Sequence, residues 1–187
     1  MLYAAVMRTF IAIELPDLIK KQLGDITRQL CRYRITAGWV KPDNLHLTLK
    51  FLGETDDTLL SRLAEQIDHL AKQQTAFRAD LDGFGFFPSS KRPRILYAAI
   101  KDPLPFKQLA QHLDRILEPL GFTPEQHFHP HITLARIKSH QNLPALQFLL
   151  EDIALQNSFS VNAVSLFSST LHAEGVRYAV LQRGLLQ

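Results

Sequence analysis

Apolar residues recur along this chain with two periods, and the switch between them marks out the elements. Thr9 to Leu15 (TFIAIEL) is a run of β-branched and aromatic residues and predicts a buried strand. Pro16 and Asp17 suit the first turn of a helix, one by its fixed φ and the other by its charge at the positive end of the peptide dipoles. Leu18, Ile19, Leu23, Ile26 and Leu30 follow at helical spacing and carry that helix to about Arg32. Trp39-Val40 reads as a short extended piece stopped by Pro42. Asn44 to Leu52 predicts a strand ended by Gly53. Leu59, Leu60, Leu63, Ile67 and Leu70 predict a second helix, with Thr55 or Asp56 available as its cap. Phe77 to Phe87 reads as extended, and its glycines at 83 and 85 suggest a bulge or a close backbone approach. A strand over Ile95 to Ile100, a helix over 104–119, a strand over Ile132 to Ile137 and a short helix over 143–150 follow. The chain then reads as a strand from Ser160 to Leu171, a turn at Ala173-Glu174-Gly175, and a strand from Arg177 to Leu185.

This order contains an echo. A strand near Phe10 is followed by a helix and then by HLTLKFL from His46; a strand near Leu96 is followed by a helix and then by HITLARI from His131. The separations are 36 residues (10 to 46) and 35 residues (96 to 131). The expectation is an α+β fold, bilobal, built from duplicated βαβ-type halves related by an approximate two-fold. Mostly antiparallel sheets would flank a central groove. No stretch has the composition of a linker, so residues 1–187 are expected to form a single bilobal domain, with residues 1–7 a short N-terminal extension.

The two copies share His-x-Thr-x inside a strand, where side chains alternate between faces. His46 and Thr48 therefore share a face, about 7 Å apart at the usual rise per residue, while Leu45, Leu47, Leu49 and Phe51 turn to the core. His131 and Thr133 repeat the arrangement against Ile132 and Leu134. Imidazole is the side chain best suited to proton transfer near neutral pH, and a hydroxyl beside it can donate a hydrogen bond to a phosphate oxygen. One such pair occurs readily by chance. Two pairs, 85 residues apart (46 to 131) in equivalent places of a duplicated unit, point to chemistry. Symmetry would set two histidines across a groove with two threonines between them. In-line displacement at phosphorus needs one base for the attacking oxygen, one acid for the leaving oxygen opposite, and donors for the charge that builds between them.

Composition narrows the context. Hydrophobic residues make up 46% of the 187-residue chain and charged residues 21%, which excludes a disordered chain. No apolar run approaches the ~20 residues a membrane helix needs, and residues 1–7 are too short for a signal peptide. The single cysteine, Cys31, excludes an internal disulfide and fits a reducing compartment. A cytoplasmic monomer without a membrane partner is the expectation. The net charge of +3 does not by itself identify a nucleic-acid binder. Lys91, Arg92 and Arg94 cluster around Pro93, a loop that is either simply solvated or in contact with a phosphate backbone.

WVKPDNLHLTLKFLG at 39–53, PHITLAR at 130–136 and RTFIAIELP at 8–16 together resemble the 2H phosphoesterase family, and within it the bacterial RNA 2′,3′-cyclic phosphodiesterases, also described as 2′–5′ RNA ligases. The resemblance covers nearly the whole chain from Arg8. It implies metal-independent opening of a 2′,3′-cyclic phosphate at an RNA or nucleotide end, leaving a 2′-phosphomonoester, with no cofactor. It further implies that His46 is the proton donor to the leaving 3′ oxygen and His131 the acceptor that activates water, with Thr48 and Thr133 binding the phosphate. Near-symmetry alone leaves open which histidine is the acid.

Other residues complete the candidate site. Lys50 lies on the His46 face by alternation, and Arg136 lies on the opposite face from His131 unless a bulge redirects it. His129 is a groove-edge candidate, and Phe10, with Phe84 and Phe86, could offer a base-stacking platform, although aromatic residues in strands usually belong to the core. His127, His129 and His131 alternate in a way that can bind zinc, but Pro130 and the lack of a nearby carboxylate weigh against a metal site. His69, His112, His140 and His172 have no partner motif. The rival readings are reversible 2′–5′ RNA joining on the same groups, a metal-dependent hydrolase, and a non-catalytic RNA-binding module.

Overall fold

The computed structural model describes residues 6–139 and 141–187; His140 and the first five residues of the N-terminal extension lie outside the described residues. The chain runs β1 (Met7–Glu14), α1 (Asp17–Cys31), β2 (Ala37–Trp39), a 3-10 turn (Pro42–Asn44), β3 (His46–Thr55), α2 (Asp57–Ala71), β4 (Phe77–Phe87) and β5 (Ile95–Ile100). It continues through α3 (Leu104–Leu117), a second 3-10 turn (Glu118–Leu120), β6 (His131–Ile137), α4 (Leu143–Glu151), β7 (Ser158–Val161), β8 (Ala163–His172) and β9 (Gly175–Leu185). Of the two candidate caps for α2 it is Asp56 that acts, its carboxylate accepting from the Leu59 N–H at 2.9 Å.

The strands lie in the order β7-β4-β5-β6-β3-β1-β8-β9, with β2 paired to β6, and their ladders are antiparallel. The order reads as an approximate two-fold between β3 and β6. One lobe holds β3, β1, β8 and β9; the other holds β6, β5, β4 and β7. The expected duplication is present, with one adjustment to its register. Ile11 pairs with Lys50 and Leu96 with Ala135, so Leu96 corresponds to Ile11 rather than to Phe10.

Two other expectations change. The strand expected over 160–171 is two strands broken at Asn162, because β7 pairs with β4 at one end of the sheet and β8 with β1 and β9 near the other. One residue can join them because the sheet curls into a half-barrel that brings its ends together. The Gln187 N–H donates to the Gln74 carbonyl at 2.9 Å, and the Ala76 N–H donates to the Gln187 carbonyl at 2.6 Å. Gly53 does not end β3. Its φ of +77° lets the strand pass a bulge against Thr9 and continue to Thr55.

One face of the sheet carries the helices and the main core. Leu23 and Leu30 of α1, Leu63, Ile67 and Leu70 of α2, and Phe106, Leu113 and Leu117 of α3 are fully buried with Ile11, Leu47, Leu96 and Ile132 from the strands. Each such side chain stabilises the fold by roughly 1.5–3 kcal/mol. The other face lines the groove, where a small separate cluster of Phe10, Ala12, Phe167 and Tyr178 sits.

Candidate active site

The two motifs meet at the centre of the sheet. β3 and β6 pair antiparallel through Leu47 and Ile132, both at 0% exposure on the helix side. His46, Thr48, His131 and Thr133 are half-buried on the other face. From Leu47 opposite Ile132, the antiparallel register carries Thr133 towards His46 and Thr48 towards His131. The six residues from His46 to Phe51 and from His131 to Arg136 share one burial pattern: half-buried, buried, half-buried, buried, buried, exposed. The doubled buried step is a bulge that both lobes carry. In β3 the register against β1 jumps from Thr48 to Lys50, and in β6 the register against β5 jumps from Thr133 to Ala135.

That bulge corrects three expectations drawn from plain alternation. Lys50 leaves the groove. It turns to the helix face at 7% exposure, forms an ion pair with Asp114 of α3, and donates to the Thr123 carbonyl at 2.7 Å. Phe51, expected in the core, is instead 74% exposed. Arg136 is turned to the face of His131, as a bulge would require. Its guanidinium acts on His131 in one lobe and on Tyr178 in the other.

Each imidazole is held by the same device. Nδ1–H of His46 donates to the Asn44 carbonyl at 2.7 Å, and Nδ1–H of His131 donates to the His129 carbonyl at 2.7 Å. A carbonyl can only accept, so Nδ1 carries the proton in both rings and Nε2 is left to exchange one. Burial lowers the pKa of His46 below its ordinary 6.5; the bond to Asn44 opposes this, and the charges of His131 and Lys20 add to it. Burial likewise lowers His131, opposed by the bond to His129 and assisted by the charges of His129 and Arg136. The charge of His131 is among the causes that lower His46, so His46 lies within the field of His131.

Their surroundings differ. His46 packs on Phe10 (ring centroids 4.8 Å apart) and meets Tyr178 edge-on at 5.2 Å, and Phe10 stacks on Phe167 at 5.0 Å. Phe10 is only 4% exposed. It therefore supports His46 from beneath and offers no open face to a base, contrary to the stacking role considered for it; Phe84 and Phe86 pack against the main core. Beside His46 lies a cavity of about 170 Å³ lined by Glu14, Lys20, Asp43, Asn44 and Tyr178, among others. Burial works to raise the Glu14 carboxyl, but bonds from Arg183 and Ser165, with the charges of Arg183 and Lys20, outweigh it and hold the group below the usual carboxylate value.

In the other lobe His131 meets Phe87 at 5.0 Å and Tyr97 at 5.4 Å, and these two rings stack at 4.3 Å. His129 is exposed at the rim, edge-on to Phe87 at 5.2 Å. His127 is exposed, and among the described residues no three of His, Cys, Asp and Glu come together in a way that could hold a metal ion. Lys91, Arg92 and Arg94 are exposed on the loop after β4. Sequence reasoning missed Phe167, Tyr178, Phe87 and Tyr97. The duplication carried a usable signal for two of them, because Phe87 pairs with Ile95 as Phe167 pairs with Phe10.

A half-barrel with paired His-x-Thr strands at its centre is the arrangement of a phosphoesterase. The LigT-like phosphoesterase family matches residues 13–97 and 101–178, and the chain belongs to that family. A Thermotoga maritima protein named RNA 2′,3′-cyclic phosphodiesterase is 35% identical over 176 residues, covering 94% of this chain and 93% of its own. A crystal structure from Thermus thermophilus superposes with a TM-score of 0.79 at 30% identity, over 96% of this chain and 98% of the other. LigT of E. coli, solved in complex with 3′-AMP, superposes with a TM-score of 0.75 at 27% identity, over 97% and 98%.

Proposed function

We propose that this chain is an RNA 2′,3′-cyclic phosphodiesterase that works by two-histidine acid–base catalysis without a metal. The observation that carries the reading is the Leu47–Ile132 pairing, which sets two imidazoles on one face, each with Nδ1 tied to a carbonyl and Nε2 free to exchange a proton. Water attacks phosphorus as Nε2 of His131 takes its proton. The bond from phosphorus to the 3′ oxygen breaks, and Nε2 of His46 protonates that oxygen, leaving a 2′-phosphomonoester. Thr48 and Thr133 donate to the non-bridging oxygens. Arg136 adds positive charge across the groove. The negative phosphodiester arriving beside His46 favours its imidazolium form and so readies it as the acid.

The assignment of His46 as acid follows the family resemblance. It fits the cavity beside His46, which offers carboxylate, amide and ammonium groups to the terminal ribose and base. One chain supplies every group in the scheme, which supports action as a monomer. The lone cysteine, and the absence among the described residues of any helix long and apolar enough to cross a membrane, fit a cytoplasmic site of action. The exposed cations of the loop after β4 fit contact with the RNA backbone at the outer end of the second lobe. The test is to incubate chelator-treated protein with an oligonucleotide ending in a 2′,3′-cyclic phosphate. A 2′-phosphomonoester is the expected product; a 3′-phosphomonoester, or no turnover, overturns the scheme.

A further inference from the structure

The two-fold aligns the lobes residue by residue, and on the groove face the alignment exposes a large difference beside the second histidine. Ala12 pairs with Ser165 in the first lobe where Tyr97 pairs with Gly85 in the second. The Tyr97 ring is seated over that glycine: a Cβ added to Gly85 would lie 2.3 Å from Cζ and from the hydroxyl oxygen of Tyr97. Phe87 stacks on the same ring at 4.3 Å. In the first lobe Phe10 and Phe167 are buried, at 4% and 8% exposure, and Tyr178 beside His46 is partly exposed. Phe87 and Tyr97 are partly exposed, and exposed His129 extends the cluster to the rim.

This partly exposed pair stands beside His131, on the side from which the attacking oxygen enters. Water needs no aromatic surface. A nucleoside that brings its own hydroxyl does, because bases bind single-strand sites by stacking on such rings. We infer that Phe87 and Tyr97 form a stacking subsite for the first nucleoside of a second RNA end bearing a 5′-hydroxyl, and so set the partition between joining and hydrolysis. The inference rests on the two-histidine reading of the groove. In the joining step the 5′ oxygen bonds to phosphorus and its proton passes to His131. The bond to the 3′ oxygen breaks, and His46 protonates that oxygen. The product is a 2′–5′ diester with a free 3′-hydroxyl, and the step needs no co-reactant.

The experiment supplies an oligonucleotide ending in a 2′,3′-cyclic phosphate together with a 5′-hydroxyl oligonucleotide, and reads the ratio of joined to hydrolysed product. That ratio is insensitive to a general loss of rate. Tyr97→Ala is expected to lower it by about 5- to 150-fold, the range for losing one base–aromatic stack, and Tyr97→Phe to keep it. Wild-type protein given an acceptor whose first nucleoside is abasic should show a similar fall, with little further effect in Tyr97→Ala. A ratio unchanged within twofold by either change overturns the subsite. So does a wild type that hydrolyses but never joins, while leaving the phosphodiesterase reading intact. A wild type that does neither overturns both.

Discussion

The two lobes share a backbone and differ in what fills it. Both bring a His-x-Thr strand to the midline, both bulge three residues after the histidine, and both fix the ring through Nδ1 to a carbonyl two residues upstream. At the bulge one lobe has Lys50 in an ion pair and the other has Ala135; beside the histidine one has Ala12 and the other Tyr97. The duplicated part is the part that two proton transfers require. The divergent part sets one imidazole beside a polar cavity and the other beside a partly exposed aromatic pair. A symmetric scaffold thus holds two groups that must act at opposite ends of one in-line displacement.

The largest expected effects test whether the lobes are equally indispensable. His46→Ala and His131→Ala should each lower turnover of a cyclic-phosphate oligonucleotide by about 10²–10⁴-fold, and the double variant by far less than the product of the two. Full activity in either single variant would falsify the paired mechanism. Lys50 comes next, as a difference that belongs to stability alone. Lys50→Met leaves Asp114 buried without its partner and should cost about 3–5 kcal/mol in denaturant unfolding. The double variant Lys50→Met with Asp114→Leu should recover most of it; no recovery would mean that the pair is not the unit that matters.

The pH dependence separates the two rings. Both fold with pKa values below 6.5, so the bell-shaped profile of kcat/KM, which reports free enzyme, should be centred below pH 6.5. The kcat profile should lie higher, since bound phosphodiester favours imidazolium. Phe10→Leu wets His46 and not His131, and should move only one limb upward; movement of both would contradict the division between lobes. The same shifts bear on stability. The unfolded chain binds these protons more readily, so stability is full above pH 6.5 and is lost as pH falls through the depressed values. Thermal unfolding of the wild type against a His46→Gln, His131→Gln variant should show a flatter acid slope in the variant.

The smallest effect concerns how Asn44 is held. Gly24 of α1 lies so close to the 3-10 turn that an added Cβ would be 2.7 Å from Cγ of Pro42. Gly24→Ala should cost about 1–3 kcal/mol from overpacking, less about 1 kcal/mol regained in helix propensity. It should also lower kcat through a displaced Asn44 carbonyl; an unchanged kcat would mean that the turn does not position His46.

Much of this was legible in the residues. The strand and helix pattern, the duplication, the His-x-Thr pairs and the leucines that anchor them follow from local periodicity, because which side of a strand or helix faces the core is written into the order of apolar and polar side chains. Alternation failed at Lys50, Phe51 and Arg136, where one extra residue reverses the face and no local signal announces it. Phe10 looked like an available aromatic until Phe167 and Tyr178, more than 150 residues away, were seen to close over it.

The chain by itself determined the chemistry on offer: two imidazoles and two hydroxyls on strands whose apolar partners hold them to one side. Only the tertiary structure decided which neighbours each imidazole meets. The curl of the sheet, turned through a single residue at Asn162, returns the C-terminal hairpin to the first lobe and brings Tyr178 against His46. Ladder pairing between distant strands is a property of the closed sheet, and periodicity within any one strand carries no record of it.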